Sequence, residues 1–160
     1  MSQVWQIAAG DPCRDYSDLF IKHDLMLIGP GRFGHWGHLP PDELRRAMLA
    51  TGYSLTRVGQ VSSFCTKVGP GDIVLLRTGY RVRTIGLVHE TGYRHNPAFD
   101  DVFGWDLSHM HRVAWQDHLE PDLLRIQRRK GLFEGRKQIP TFTRVRHRKV
   151  LDAIEHLFER

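Results

Sequence analysis

The sequence predicts one α+β domain, a small curled sheet or pseudo-barrel of five to six mostly antiparallel strands flanked by helices. Three observations predict it. The β-branched segments DIVLLR (72–77), TIGLVHE (84–90) and HRVAW (111–115) are separated by turn residues such as Thr78 and Gly79. Apolar runs at Val4–Ala8 and Leu25–Ile28 read as two further strands, with helical patterning around them. The 160 residues, 41% hydrophobic, suffice for one buried core and are too few for two ordinary domains.

In chain order, Val4–Ala8 is the first strand, and 14–22 a short helix with Leu19 and Phe20 inward. Leu25–Ile28 is a second strand, apolar throughout. Residues 29–41, GPGRFGHWGHLPP, carry too much glycine and proline for regular structure and form a shaped loop. Pro41 suits the first turn of a helix over 42–50, and a second helix covers 61–68 until Gly69, Pro70 and Gly71 end it. After the three β-rich segments, helices are expected over 121–129 and 144–158, joined by GLFEGRKQIPTF, whose Leu132, Phe133 and Phe142 dock on the core. Residues 117–160 thus read as a basic helical extension packed on a domain that fills 1–160.

Lys and Arg number 23 against 18 Asp and Glu, a net charge of +5 with a pI near 9.6, which favours an anionic partner. Between 124 and 149 the only acid is Glu134. Arg14, Arg32, Arg77, Arg81, Arg83, Arg112, Arg128, Arg129, Lys130, Arg136 and Lys137 are the candidate phosphate contacts. For RVRHRK (144–149) a solvated helix face is an equal reading. Cys13 and Cys65 are isolated, which argues against a disulfide framework or structural zinc and for reduced thiols in a cytosol. The N-terminal residues show no basic-then-apolar leader, and no run approaches the ~18 apolar residues of a membrane span. Secretion and membrane partners are therefore not expected.

Ten histidines raise a metal reading, but HWGH (35–38) and HMH (109–111) lack the i, i+4 helical spacing, and no HExxH occurs. There is no GxSxG elbow, and GPGRFG (29–34) fits a nucleotide-binding loop poorly because Pro30 interrupts it. No catalytic residue, cofactor or metal is expected. Phe33 and Trp36 instead offer π-faces among glycines, the combination that holds an unstacked base, although either can equally pack in the core. FDDVFGWDL (99–107) offers a second wall in Phe103 and Trp105, where Asp106 could accept from the exocyclic amine of a flipped pyrimidine. Asp11 has the same potential, and both aspartates suit turns.

Five segments, VWQIAAGD (4–11), LMLIGPG (25–31), VGPGDIVLLR (68–77), TIGLVHETGY (84–93) and HMHRVAW (109–115), resemble in content and order the EVE domains. These are relatives of the YTH and ASCH domains in the PUA-like superfamily. The resemblance implies a pseudo-barrel with a concave pocket for a modified base, formed by the loops after the first two strands and before the closing strand. The pocket positions it implies are Trp5, Gly10, Asp11, Pro30, Gly31, Phe33, Trp36, Phe103, Trp105, Asp106 and His109. Many EVE domains carry an aromatic where this sequence has Pro30, so Phe33 or Trp36 is expected to supply that wall. Such domains look like the specificity modules of modification-dependent restriction systems, and others act on RNA. The expected function is capture of a modified base, 5-methylcytosine or 5-hydroxymethylcytosine in double-stranded DNA, beside a nuclease domain or subunit. The alternatives are a reader of modified RNA, an enzyme or sensor for a nucleotide-like small molecule, and a structural adaptor.

Overall fold

The computed structural model describes residues 2–11, 13–79, 81–116, 118 and 141–158. The expected helix over 121–129, the docking of Leu132 and Phe133, and Arg128, Arg129, Lys130, Arg136 and Lys137 lie outside the described residues.

The chain builds a curled, half-barrel sheet of mixed strands with helices on both faces. Strands β1 (Val4–Ala8), β4 (Leu25–Ile28), β5 (Ile73–Thr78), β6 (Arg81–Val88), β8 (His109–Trp115) and β9 (Phe142–Arg144) run in the order β4-β8-β6-β5-β1-β9, and β7 (Arg94–His95) also pairs with β8. Strands β2 (Gly10–Asp11) and β3 (Arg14–Asp15) make a separate small hairpin. β1 and β5 are parallel, with Val4 opposite Ile73 and Ala8 opposite Arg77. Parallel neighbours need a crossover, and residues 9–72 supply it, carrying helices α1 (Ser17–Lys22), α2 (Pro41–Ala50) and α3 (Leu55–Lys67) with β4 over one face. The other described pairings are antiparallel.

Strand alternation divides the side chains between two cores. Trp5 and Ile7 of β1 and Val74 and Leu76 of β5 join the main core with Phe20, Met26, Leu44, Met48, Phe64 and Phe142. Leu75, Val82 and Ile85 turn to the opposite face, where helix α4 (Arg148–Phe158) lays down Val150, Ala153, Ile154 and Leu157. That i, i+3, i+4, i+7 spacing is one stripe of a helix, and the basic residues 148 and 149 stay in solvent.

Three elements depart from the sequence reading. Helix α3 extends back to Leu55 because the Ser54 hydroxyl caps it, accepting from the Arg57 N–H at 3.1 Å. Its first turn hid from the apolar pattern because Leu55 is 77% exposed. Helix α1 starts only at Ser17, since residues 14 and 15 are taken by the hairpin and the Asp15 carboxylate accepts from the Ser17 N–H at 2.9 Å. The C-terminal helix, expected from residue 144, begins at Arg148, and residues 142–144 form the edge strand β9, where Phe142 docks on the core by stacking on Trp5 at 5.0 Å between ring centroids. No helix of the described residues is long and apolar enough to cross a membrane.

One buried carboxylate fastens the crossover. Asp72, 5% exposed, accepts from the Gln3 N–H (2.8 Å), the Trp5 indole Nε1 (2.9 Å) and the Gly69 N–H (3.0 Å). Replacing it strands one buried and two half-buried donors, so Asp72→Ala should cost roughly 3–5 kcal/mol in urea unfolding, whereas Trp5→Phe, which removes one donor, should cost about 2. Equal losses for the two variants would show that the carboxylate is not the fastening.

Candidate functional site

A cavity of about 270 Å³ opens where the β1 end, the loop after β4, the start of α3 and the segment before β8 converge. Its apolar floor is Ala8, Leu27, Ile28 and Leu107. Tyr16, Tyr53 and Trp105 supply aromatic surface, and Arg14, Arg57, Pro30, Asp106, Gly10, Gly29 and Thr141 complete the lining.

The loop after β4 is held by its backbone. The Asp106 Oδ2 accepts from the N–H groups of Gly31 (3.0 Å) and Arg32 (2.8 Å), while its Oδ1 accepts from the Ser108 hydroxyl (2.8 Å) and Ser108 N–H (3.3 Å). On the other side of the same loop, His109 Nε2 donates to the Pro30 carbonyl (3.1 Å) and His95 Nε2 to the Gly31 carbonyl (2.6 Å). A carbonyl only accepts, so His109 carries its proton on Nε2 and takes the Tyr93 hydroxyl proton at Nδ1, 2.7 Å away. Only glycine fits this approach: a Cβ on Gly29 would lie 1.6 Å from the Asp106 carbonyl oxygen, and one on Gly31 2.4 Å from the Ser108 Cβ.

The polar groups of the lining are therefore unequal. Asp106 is saturated by four donors and has no capacity left for an exocyclic amine, which corrects its expected role to that of a loop clamp. Arg57 is the opposite case. Half-buried, its guanidinium makes no hydrogen bond or ion pair with a described residue. Burial lowers its pKa, and the nearby phenols of Tyr16 and Tyr53 oppose that shift. A desolvated cation without an acceptor is an unfavourable state that a ligand with acceptor atoms relieves.

Of the expected pocket residues, Gly10, Pro30, Trp105 and Asp106 line the cavity, and Gly31 is held at its edge. The Asp11 side chain lies outside the described residues. Trp5 and Trp36 are corrected to core residues, 3% and 4% exposed, since each buries its ring within the main cluster and Trp5 Nε1 is spent on Asp72. Phe33 packs edge-on against Tyr53 at 6.0 Å, so its contact with the site is indirect. His109, 1% exposed, stands behind Pro30 as a support.

Phe103 occupies the tip of a tight turn closed by reciprocal Val102 and Trp105 backbone bonds of 2.8 and 3.0 Å. There φ is +51° at Phe103 and +86° at Gly104, the two-residue pattern with positive φ at both positions that suits Asn-Gly or Asp-Gly. An L-residue other than Gly or Asn held there costs about 1–2 kcal/mol.

Among the expected phosphate contacts, Arg77 is corrected: it is 4% exposed, and its guanidinium donates to the Gln6 side chain and to the Gly79 carbonyl at 2.8 Å. Arg83 is engaged by Asp18 at 2.6 Å and the Ser17 hydroxyl at 2.7 Å. Arg81 and Arg112 are exposed away from the cavity lining. Arg14 and Arg32 stand at the rim, the first 5.8 Å from the Trp105 ring centroid and the second 5.7 Å from that of Tyr53. Tyr16, Tyr53 and Arg57 went unseen in the sequence because nothing in DYSD or GYSLTR distinguishes a cavity residue from a surface one; the Ser54 cap was the one available signal.

Histidine and tyrosine rings pack behind the loop, His35 on His38 at 3.9 Å and Tyr93 beside His35, His109 and His111 at 4.8–6.0 Å. Among the described residues no group of three His, Cys, Asp or Glu is arranged to hold a metal ion. Burial, then His95, pushes the His109 pKa down from 6.5 to about 4. The unfolded chain therefore binds the proton first, so His109 contributes stability above pH 6.5 that is lost as pH falls towards 4. The loss should approach ~3 kcal/mol by pH 4, and His109→Gln should flatten that part of the urea-unfolding profile. An unchanged slope in the variant would assign the acid sensitivity to other groups. No family model matches this chain, nor does any curated protein or solved structure, and the reading of the cavity rests on its own chemistry.

Proposed function

We propose that the protein captures a single modified base extruded from DNA, with 5-methylcytosine or 5-hydroxymethylcytosine as the ligand, in the manner of an EVE-type PUA-like domain. One observation carries this reading: an aromatic-walled cavity sized for one ring holds a half-buried guanidinium without an acceptor among the described residues. At about 270 Å³ the space falls just below the range of ~300–1,000 Å³ typical of drug-sized ligands, which favours a base over a whole cofactor. Tyr16, Tyr53 and Trp105 offer stacking surface worth ~1–3 kcal/mol per base, against an extrusion cost of a few kcal/mol.

The hydrogen-bonding sense favours the acceptor edge of the base. With Asp106 committed to the loop, Arg57 is the lining cation without a hydrogen-bond partner among the described residues, and it donates only. Cytosine offers its O2 and N3 to such a donor. A methyl at C5 would find Leu27, Ile28 and Leu107, where burying one carbon contributes about 0.8 kcal/mol, or about fourfold in affinity. Arg14 and Arg32 at the rim are placed for the phosphates flanking the extruded nucleotide. Specificity then comes from the cavity, and cleavage, if it accompanies binding, from a nuclease elsewhere.

The same guanidinium also suits a free anionic nucleotide, and a sensor of such a molecule is the second reading. Fluorescence-anisotropy titration of duplexes differing only in cytosine, 5-methylcytosine, 5-hydroxymethylcytosine or N6-methyladenine, with single-stranded RNA counterparts, separates them. The expected result is a fourfold or larger preference for a C5-modified cytosine, with every cytosine probe weakened alike and the preference kept in Arg57→Gln, and binding weakened ~5- to 100-fold overall by Trp105→Ala. Equal, salt-sensitive binding to every probe would overturn base capture, and competition by a free nucleoside monophosphate at micromolar concentration would favour the sensor.

A further inference from the structure

The turn that carries Trp105 into the cavity wall also displays Phe103, 66% exposed, in a left-handed conformation with φ +51°. Two unfavourable features thus coincide in the free protein: an aromatic ring in water, and a bulky side chain where Asn or Gly fits without strain. Nothing in the fold needs either. The backbone turn closes through Val102 and Trp105, and Val102, 7% exposed, supplies its anchor in the main core.

The surroundings of the tip point to what it enters. Only Gly104 separates Phe103 from Trp105, so their α-carbons lie within about 7 Å, the reach of a single base step and its neighbour. Arg14, itself a cavity residue, extends Nη1 to the Phe103 carbonyl at 3.5 Å and places its guanidinium 5.8 Å from the Trp105 ring centroid. A cation, an exposed ring and a cavity wall therefore meet at one turn. The same three chemistries are needed where a nucleotide leaves a duplex: a phosphate neighbour, a filler for the gap, and a receptacle for the base.

We propose that Phe103 is an intercalating wedge, which enters the base stack of double-stranded DNA and occupies the place vacated by the base held in the cavity. This rests on the base-capture reading above. The left-handed backbone at Phe103 holds the ring outward at the tip, so that the wedge is formed before DNA arrives and little is ordered on binding.

The wedge is needed only where there is a stack to enter, and the test uses that difference. Phe103→Asn suits the left-handed turn and should fold at least as stably as the wild type in urea unfolding. It should bind a duplex carrying 5-methylcytosine about tenfold more weakly, yet bind the single strand with the same base within about twofold of wild type. 2-Aminopurine next to the target in the duplex should brighten with wild-type protein and stay dim with the variant, and Phe103→Tyr, which keeps a ring, should restore both signals. Equal losses on duplex and single strand, or no loss on either, would overturn the wedge. Failure of base capture reads differently: wild-type protein would bind modified and unmodified single strands alike, and both proposals would fall together.

Discussion

The parallel pairing of β1 with β5 is the constraint on which the rest of the molecule depends. It obliges residues 9–72 to leave one strand and return beside it, and that excursion contains the β2–β3 hairpin, α1, β4, the 29–41 loop, α2 and α3. Asp72 closes the excursion where it ends, binding the backbone before β1, the Trp5 indole and the turn before β5 with one carboxylate. Trp5, so fixed, is the surface on which Phe142 stacks, and β9 follows from that contact. The cavity inherits its walls from this arrangement, since the ends of β1 and β4, the start of α3 and Thr141 just before β9 meet there.

A second carboxylate does for the site what Asp72 does for the fold. Asp106 and the imidazoles of His95 and His109 bind the Pro30–Arg32 backbone from opposite sides. The Asp106 carboxylate and the Pro30 and Gly31 carbonyls are thereby engaged by the protein itself, while the Arg57 guanidinium has no hydrogen-bond partner among the described residues. A loop held on four backbone groups has little freedom to lose on binding, so contacts made by a ligand there are retained as affinity. This division between spent and unspent polar groups is the reason for reading the site as one that receives acceptors.

The fold was largely legible because its signals are local. Alternating β-branched segments gave β5, β6 and β8, the Pro41 start gave α2, and the Val150-Ala153-Ile154-Leu157 stripe lay within the expected C-terminal helix. What escaped were elements decided by distant partners. β9 exists because Trp5 offers Phe142 a ring, 137 positions away in the numbering, and α3 begins early because a serine cap outweighs an exposed leucine. The site was legible as a set of loops more than as a set of side chains. Gly10, Pro30, Trp105 and Asp106 lie at the cavity, whereas Trp36, for which pocket wall and core were equal readings, and Arg77, read as a phosphate contact, are both buried.

Composition, periodicity and turn chemistry in the sequence determined that this chain makes a curled α+β sheet flanked by helices, with a glycine-rich loop after the strand Leu25–Ile28, because those preferences act over a few residues. Which aromatic rings face the cavity, which carboxylate is already spent and which arginine lacks an acceptor among the described residues were decided only by tertiary structure. Those properties belong to pairs such as Asp106 with Gly31, or Trp5 with Asp72, and not to any residue alone. A side chain's availability to a ligand is whatever its neighbours leave over, and the neighbours are known only once the strands have paired.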